Sequence, residues 1–229
     1  MFEVRNLNVA YGQSQVLHGL DFTVEPGEIV AIVGRNGMGK TTLMKSLIGV
    51  VPVKSGKIIA DGADLTAMPS HARVANGLAY VPQGRQIFGA MTVEENIKTG
   101  LSATRKVTVP DEIYSLFPIL WEFNKRRGGN LSGGQQQQLA IARALASDPK
   151  VLLLDEPTEG IQPSIIKDLA KVLKEIRDMR NLCIIVSEQV LSFVLSVADR
   201  ILVLENGSIV HTDVREGVDE AAITRFLAV

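Results

Sequence analysis

The sequence predicts an α/β fold in which buried parallel strands surround a glycine-rich, phosphate-binding loop. The continuous apolar run Ile29–Val33, four of whose five residues are β-branched, has the pattern of a strand covered on both faces. It leads directly into the glycine-rich residues 34–42. A second apolar run, residues 151–154, ends in an acidic pair. Between these runs, residues 84–147 lack buried-strand patterns and predict helices instead. Together these observations indicate an α/β core with a helical insertion.

Length and composition limit the classes of protein to which the chain can belong. Its 229 residues suffice for one large domain, or for a core that carries a subdomain. Because 24 basic residues are balanced by 25 acidic ones, the charge gives no case for binding nucleic acid or an anionic membrane. The single cysteine, Cys183, excludes a disulfide within the chain, and its apolar neighbours indicate a buried strand. These features predict a protein of a reducing cytoplasm.

The sequence shows no pattern of its own for secretion or membrane insertion. The amino terminus has no basic stretch followed by an apolar one, as a secretion signal would have. The longest apolar runs fall far short of the roughly 20 residues that a membrane-spanning helix needs. We therefore expect any link to a membrane to come through a partner protein.

The amino-terminal segment predicts antiparallel strands beside the core. Residues 2–9 and 16–24 have strand character and are separated by a turn at Tyr11-Gly12. A further turn at Pro26-Gly27 precedes the first buried strand. The fold is therefore expected to include an amino-terminal antiparallel β subdomain.

The helical insertion contains two helix-start signals. Thr92 precedes Glu95, and Ser132 precedes Gln135, at the three-residue spacing of a capping box. We expect one domain over the whole chain. Its α/β core is formed by residues 1–83 and 148–229, and residues 84–147 form the helical subdomain.

Strands and helices alternate again after the insertion. A helix starts at Pro163, followed by a strand over residues 182–187 and a helix to about Ala198. Asn206-Gly207 then joins two strands in a hairpin. One face of the helix from Pro163 is expected to bury Ile165, Ile166, Leu169, Val172, Leu173 and Ile176.

Residues 34–42, which we call the phosphate loop, match the pattern G-x-x-x-x-G-K-S/T of a P-loop. In such a loop, backbone N–H groups surround the phosphates of a nucleotide, and glycines let the main chain approach closely. We expect Lys40 to neutralise charge on the β- and γ-phosphates and Thr41 to ligate Mg²⁺, while the following helix adds its positive end. The expected cofactors are therefore ATP and Mg²⁺. The expected nucleotide contacts are Gly34, Arg35, Asn36, Gly37, Met38, Gly39, Lys40, Thr41 and Thr42.

The acidic pair Asp155 and Glu156 lies at the carboxyl end of a predicted core strand, where open α/β sheets bind their ligands. Adjacent side chains of a strand point to opposite sides, so the two carboxylates are expected to have different roles. Asp155 suits Mg²⁺, reached through water, and Glu156 suits activation of the water that attacks the γ-phosphate. In the plainer alternative both carboxylates only cap the following turn, which the phosphate loop upstream makes the weaker explanation.

A second anion-binding device is predicted at residues 131–135, Leu-Ser-Gly-Gly-Gln, which we call the serine-glycine segment. Taken alone, it could be simply a capped helix start with flexible glycines. Its helix N–H groups and serine hydroxyl could equally hold a phosphate, but one nucleotide needs only one glycine loop. We therefore expect Ser132, Gly133, Gly134 and Gln135 to bind the nucleotide of another subunit.

The phosphate loop, the serine-glycine segment and the acidic strand, in this order over nearly the whole chain, resemble the ATPases of ATP-binding cassette (ABC) transporters. Residues 80–88 (Tyr-Val-Pro-Gln-Gly-Arg-Gln-Ile-Phe) and 155–163 resemble the second ATPase of branched-chain amino acid and urea importers, and favour the urea branch. The resemblance implies a P-loop NTPase core and an ATPase that drives import of urea or short amides. Branched-chain amino acids are the alternative solutes.

The resemblance also implies roles for residues whose local sequence does not by itself indicate a function. Tyr11 would stack on adenine, although it could also be an ordinary turn tyrosine. Gln83 would sense Mg²⁺ and the attacking water, and residues 84–88 would lie where a transmembrane permease docks. The serine-glycine segment would close over the γ-phosphate held by the opposite subunit of a head-to-tail dimer.

Two positions depart from the usual pattern of the family. Gln189 stands where most members have a histidine, and its amide can hydrogen-bond a phosphate oxygen but cannot carry a proton charge. It is expected to be a weaker clamp on the γ-phosphate, and the narrower importer group includes members with glutamine here. Gln162 stands where an aspartate commonly crosses the dimer interface. This change favours pairing with a sister ATPase over a symmetric homodimer.

The implied partners are permease subunits, a second ATPase cassette and, indirectly, an extracytoplasmic solute-binding protein, but no nucleic acid. The chain would lie on the cytoplasmic face of the membrane, held there by the permease. A soluble ABC ATPase of DNA repair or translation is a second class, but it needs a long coiled insertion or tandem cassettes. A P-loop kinase is a third, but it would have no use for the serine-glycine segment.

Overall fold

The structure, a computed structural model, describes residues 1–104, 106–217 and 223–224. It contains an antiparallel sheet formed mainly from the amino-terminal strands and a larger, mainly parallel sheet with helices on both faces, which confirms the expected α/β fold. The strands are β1 (Phe2–Tyr11), β2 (Ser14–Val24), β3 (Ile29–Val33), β4 (Ser55–Ala60), β5 (Ala63–Asp64), β6 (Leu78–Val81), β7 (Val151–Asp155), β8 (Cys183–Glu188), β9 (Arg200–Glu205) and β10 (Ser208–Val214). The helices are α1 (Lys40–Leu47), α2 (Ser70–Ala75), α3 (Val93–Gly100), α4 (Asp111–Leu116), α5 (Pro118–Glu122), α6 (Gly133–Ala146), α7 (Pro163–Arg180) and α8 (Leu191–Val197).

The larger sheet has the strand order β10-β9-β3-β8-β7-β6, and β3 lies at its centre. Parallel pairing places Ile29 opposite Ile184 of β8 and Val30 opposite Arg200 of β9. Every residue of β3 is buried, because one face packs against α1 and the antiparallel sheet while the other packs against α7 and α8. The carboxyl ends of β3, β7 and β8 therefore meet at one edge of the sheet.

The β9–β10 hairpin, predicted at Asn206-Gly207, reaches back to the phosphate loop. The N–H of Gly207 donates to the carbonyl of Met38 at 3.1 Å, and its carbonyl accepts from the N–H of His18 at 2.9 Å. Gly207 has a φ of +75°, and a Cβ there would lie 1.9 Å from the carbonyl oxygen of Val16. Glycine is therefore required where the hairpin joins the phosphate loop to β2.

The antiparallel sheet has the order β2-β1-β4-β5, and the sequence analysis identified only β1 and β2. Both strands are longer than expected, and only two residues separate them. Strand β4 contains Gly56 and Lys57, which weaken its strand pattern, while β5 and β6 are short edge strands. Strands β4 and β6 depend on pairing with β1 and β7, which lie far away in the sequence, whereas β5 is only two residues long and pairs with the adjacent β4.

Helices α3 to α6 form the middle of the chain, as expected for residues 84–147. Both predicted capping boxes are present: Thr92 caps α3 with Glu95, and Ser132 caps α6 with Gln135. These helices pack with Ala79 and Val81 of β6 in one apolar cluster. The boundaries of the helical subdomain and of the core, residues 1–83 and 148–229, remain a prediction.

Helix α7 is amphipathic, but its buried face is narrower than the sequence predicted. Leu169, Leu173 and Ile176 are buried, whereas Ile165, Ile166 and Val172 are only partly covered. Ile165 lies in the first turn, which rests on the start of α6 instead of the sheet. Within the described ranges, no helix is both long and apolar enough to cross a membrane.

Candidate functional site

The phosphate loop connects the carboxyl end of β3 to α1. Gly37 and Gly39 have φ values of +82° and +104°, which side chains rarely adopt. A Cβ at Gly34 would lie 2.4 Å from the carbonyl oxygen of Leu204. The loop can therefore adopt this path only with glycine at all three positions.

Lys40 directs its ammonium group back over the phosphate loop. Its side chain is only 4% exposed, and Nζ donates to the carbonyl oxygens of Gly34 at 2.7 Å and Arg35 at 3.0 Å. The same Nζ lies 3.4 Å from Oε1 of Glu156. The lysine charge is thus fixed in the concave side of the loop, where a phosphate would bind.

Asp155 lies at the end of β7, where three hydroxyl groups donate to its carboxylate. Oδ1 accepts from Ser187 Oγ at 2.5 Å and from Thr41 Oγ1 at 3.3 Å, and Oδ2 accepts from Tyr80 Oη at 3.2 Å. Burial, with the charge of Asp155 as a smaller cause, raises the pKa of Tyr80 above its usual value. Tyr80 therefore remains a protonated donor that orients the carboxylate.

Glu156 follows directly but has a left-handed backbone conformation, with φ of +46°. Its Oε2 accepts from Gln83 Nε2 at 3.2 Å, and its Oε1 accepts from Gln189 Nε2 at 2.8 Å. The two carboxylates therefore have different neighbours, although not through alternation along the strand, because β7 ends at Asp155. Their different roles stay a prediction. Asp155 is surrounded by hydroxyl groups, whereas Glu156 is surrounded by amides and the ammonium of Lys40.

Gln189 connects the end of β8 to the phosphate loop. Its Nε2 also donates to Oδ1 of Asn36 at 2.9 Å. One amide group therefore spans from Glu156 to the phosphate loop. The expected contact of Gln189 with the γ-phosphate stays a prediction. The contact with Asn36 could not be foreseen, because it depends on how β8 pairs with β3.

A cavity of about 280 Å³ opens beside these groups. Lys40, Thr41, Gln83 and Glu156 all line it, together with four other loop residues and Val16 of β2. Tyr11 is not among the lining residues and is 51% exposed at the end of β1. Asp155 and Gln189 do not line the cavity themselves but hydrogen-bond to Thr41 and Glu156, which do. The structure therefore gathers these residues with the phosphate loop and Gln83, and leaves Tyr11 apart.

The serine-glycine segment also lies outside this cavity. Ser132 is exposed at the start of α6, where its Oγ accepts from the N–H of Gln135 at 3.4 Å. A Cβ at Gly134 would lie 2.7 Å from Ile165 of α7, and one at Gly133 would lie 3.2 Å from the carbonyl oxygen of Gly160. Both glycines therefore permit close packing, while the serine faces solvent.

Arg85 is a residue that the sequence analysis did not single out as part of the site. Its Nη2 donates to the carbonyl of Glu159 at 2.7 Å, in the segment after Glu156. Arg85 and Gln86 both have positive φ, +65° and +44°, and Arg143 of α6 donates to the carbonyl of Gln86 at 3.0 Å. The loop that carries Gln83 is thereby connected to both α6 and the segment after β7.

Comparison with known proteins identifies the class. The family model described as ABC transporter matches residues 17–159, so the chain belongs to this family. It is an ATP-binding subunit of an ABC transporter and an ATPase.

Individual relatives come from several transport systems. The chain is 41% identical over 216 residues to the high-affinity branched-chain amino acid transport ATP-binding protein BraG of Pseudomonas aeruginosa, covering 93% of this chain and 92% of BraG. It is 37% identical to the probable branched-chain amino acid transport ATP-binding protein LivF of Archaeoglobus fulgidus, covering 91% and 90%. The lipopolysaccharide export system ATP-binding protein LptB of Haemophilus influenzae is 34% identical, with 93% and 90% covered.

Solved structures agree with this membership. A nucleotide-free ATP-binding cassette from an ABC transporter superposes with a TM-score of 0.83 at 26% identity, covering 100% of this chain and 95% of the other. A dimeric cassette in a post-hydrolysis state, bound to ADP and Pi, superposes with a TM-score of 0.84. At 22% identity over 95% of this chain and 100% of the other, that second likeness concerns the fold alone.

Proposed function

We propose that this chain is the motor of an importer in the branched-chain amino acid and urea group. It binds ATP and Mg²⁺ at the phosphate loop, and it pairs head-to-tail with a second cassette on the cytoplasmic side of a permease. The observation that carries the proposal is the position of Glu156, whose carboxylate is flanked by Lys40, Gln83 and Gln189 at the cavity.

The chemistry follows from this arrangement. Lys40 and the N–H groups of the phosphate loop bind the β- and γ-phosphates and offset their negative charge. Glu156 accepts a proton from the attacking water, and Gln83 and Gln189 orient that water and the γ-phosphate by donating hydrogen bonds. Since a bound phosphate would draw Lys40 away from the carbonyls that it now contacts, nucleotide binding also frees the Glu156 carboxylate to face the water.

The donor set beside Asp155 fits Mg²⁺. Thr41 Oγ1 and Asp155 Oδ1 lie 3.3 Å apart, and hydroxyl and carboxylate oxygens are the ligands that Mg²⁺ prefers. Thr41 would ligate the ion directly and Asp155 through water, and the bound ion would supply positive charge beside the triphosphate. Gln83 would join this set by turning from Glu156.

The serine-glycine segment supports pairing of two cassettes. Ser132 is exposed and lies outside the cavity of its own chain, so the hydroxyl is available to a nucleotide held by another subunit. We propose that the partner is a sister ATPase, because Gln162 replaces the aspartate expected at a symmetric interface. The permease would hold the pair at the membrane and receive solute from an extracytoplasmic binding protein.

The solute is the least constrained part of the proposal. The sequences of residues 80–88 and 155–163 favour urea or short amides. In contrast, relatives at 41% and 37% identity are named for branched-chain amino acids. The similarity to these relatives extends over 93% and 91% of this chain, whereas the urea assignment depends on two short segments. We therefore give branched-chain amino acids precedence and keep urea as the alternative. A motor subunit does not touch the solute, so only the assembled transporter can decide between them.

The decisive experiment is to purify the chain in its native membrane complex and identify the other subunits. ATP turnover in proteoliposomes would then be measured with leucine, urea or acetamide and the cognate binding protein. We expect severalfold stimulation by leucine; stimulation by urea alone would transfer the assignment to the urea branch. A complex that lacks permease subunits, or that only exports lipid, would overturn the importer proposal.

A further inference from the structure

Glu188, the last residue of β8, is a buried carboxylate to which the proposed mechanism gives no role. It is only 2% exposed, and both of its oxygens are fully engaged. Oε2 accepts from Thr158 Oγ1 at 2.6 Å and from the Thr158 N–H at 3.3 Å. Oε1 accepts from the N–H groups of Gln189 at 2.7 Å and Val190 at 3.1 Å.

These four hydrogen bonds join two segments that border the cavity. Thr158 lies two residues after Glu156, in the turn between β7 and α7, and is itself only 4% exposed. Gln189 and Val190 lead from β8 into α8. The carboxylate of Glu188 thus connects the turn after the proposed base to the backbone of Gln189.

The backbone of Gln189 determines where its side-chain amide lies. That amide donates to Glu156 Oε1 at 2.8 Å and to Asn36 Oδ1 at 2.9 Å. Both distances depend on the position of the Gln189 backbone. Glu188 holds that backbone in place by accepting a hydrogen bond from the Gln189 N–H. We propose that the Thr158–Glu188 pair is a positioning device that holds Gln189 between Glu156 and the phosphate loop. This inference rests on the role proposed above for Gln189.

A carboxylate suits this position for a physical reason. All four groups that meet Glu188 are donors, and only an ionised carboxylate offers two oxygens that accept all of them. Hydrogen bonds to a charged acceptor are stronger than neutral ones, and buried donors left unpaired are costly. An amide at position 188 would turn an NH₂ group toward N–H donors and break one side of the connection.

The primary test is Thr158→Val, which keeps the shape of the side chain and removes only the hydroxyl donor. We expect the kcat of ATP hydrolysis in the transporter complex to fall about tenfold, as loss of one charge-assisted hydrogen bond predicts, with KM for ATP within about twofold. Thr158→Ser should recover most of the turnover. Ser196→Ala on α8, which removes a hydroxyl bonded to the carbonyl of Phe193, serves as the matched control. An unchanged kcat in Thr158→Val would overturn the inference.

A double-mutant cycle with Gln189→Ala tests the route of the effect. If Thr158 acts through Gln189, then Thr158→Val should change kcat by less than about twofold in the Gln189→Ala background. Independent, multiplicative losses would show that Thr158 acts by another route. If Gln189→Ala alone leaves kcat unchanged, the proposed role of Gln189 fails first, and the positioning inference fails with it.

Backbone exchange gives a readout that does not depend on activity. In Thr158→Val and in Glu188→Gln, the amides of Gln189 and Val190 should exchange with deuterium faster than in the parent chain, because their acceptor is less restrained. Amides in the centre of β8, such as Ile185, should keep their protection if the fold is intact. Unchanged exchange at both amides in both variants would contradict the positioning device.

Discussion

The carboxylate of Glu156 shows how much a single residue depends on its neighbours. Its left-handed backbone turns the side chain away from the hydroxyl groups around Asp155 and toward Lys40, Gln83 and Gln189. The positions of Lys40 and Thr41 were predictable, because a local spacing in the phosphate loop specifies them. The amide contacts were not, because Gln83 and Gln189 follow different strands and meet Glu156 only when β6, β7 and β8 pair.

Glu156→Gln should separate ATP binding from turnover. Glutamine has nearly the same size but cannot accept the proton of the attacking water, so hydrolysis should fall by about 100-fold or more. Affinity for ATP should remain within a few fold, and ATP should hold the cassettes as a stable dimer. Steady-state ATPase assays, nucleotide titration and size-exclusion chromatography with ATP would measure the three effects.

Glu205→Gln is the matched control, since Glu205 is an exposed glutamate that also ends a strand of the same sheet. Its turnover should equal that of the parent chain. If Glu156→Gln hydrolyses ATP within about twofold of the parent, Glu156 is not the base.

Individual helices and strands differ in how well they can be predicted from their own residues. Helices α3 and α6 carry reciprocal caps within four residues, so both starts were predictable from local sequence. Strands β4 and β6 were missed because each needs a distant partner, β1 for β4 and β7 for β6. Strand β5 was missed because its two residues are too few to show a strand pattern. The face of α7 was overestimated because Ile166 lines an open groove between α7 and α8, and Ile165 contacts α6 instead of the sheet. Periodicity within α7 reveals neither neighbour.

Ser132→Arg tests whether the start of α6 acts on the nucleotide of another subunit. Ser132 lies outside its own cavity, so nucleotide affinity of the isolated chain should change by less than about twofold. Hydrolysis in the assembled pair should fall by at least about tenfold, because a long cation would replace the small hydroxyl at the interface. Binding assays on the monomer and ATPase assays on the complex would measure the two quantities.

Thr92→Arg provides the control, because it removes an equivalent capping box at α3. Each substitution should cost about 1 kcal/mol of stability from the lost cap, whereas only Ser132→Arg should affect hydrolysis. A parallel loss of monomer affinity and turnover in Ser132→Arg would refute the shared site.

At the scale of the whole molecule, Arg73 of α2 connects the segment between β5 and α2 to the end of α1, the helix after the phosphate loop. The guanidinium is 2% exposed and donates to the carbonyls of Ser46 and Leu47, both at 2.7 Å, and of Thr66 at 2.7 Å and Met68 at 2.9 Å. Burial lowers the pKa of this guanidinium from its usual value. Four backbone carbonyls therefore accept hydrogen bonds from this one buried guanidinium.

Arg73→Met should lower the free energy of unfolding by about 3 kcal/mol, because the methionine fills the space but leaves buried carbonyls without donors. Urea denaturation would measure the change. Lys57→Met is the control: Lys57 is 62% exposed and lies 3.9 Å from Asp64, so its loss should cost no more than about 0.5 kcal/mol. A loss below about 1 kcal/mol for Arg73→Met would contradict this role.

The contact of Gly207 with Met38, and the carbonyl of Leu204 behind Gly34, have a consequence for how the chain is made. The phosphate loop is synthesised early. The segments that pack against it, which are β8, β9 and the β9–β10 hairpin, follow roughly 150 residues later. A partly synthesised chain contains the glycines of the phosphate loop but lacks Leu204 and Gly207, which contact that loop in the folded protein. We therefore expect the phosphate loop to reach its native path only after these later strands have been synthesised.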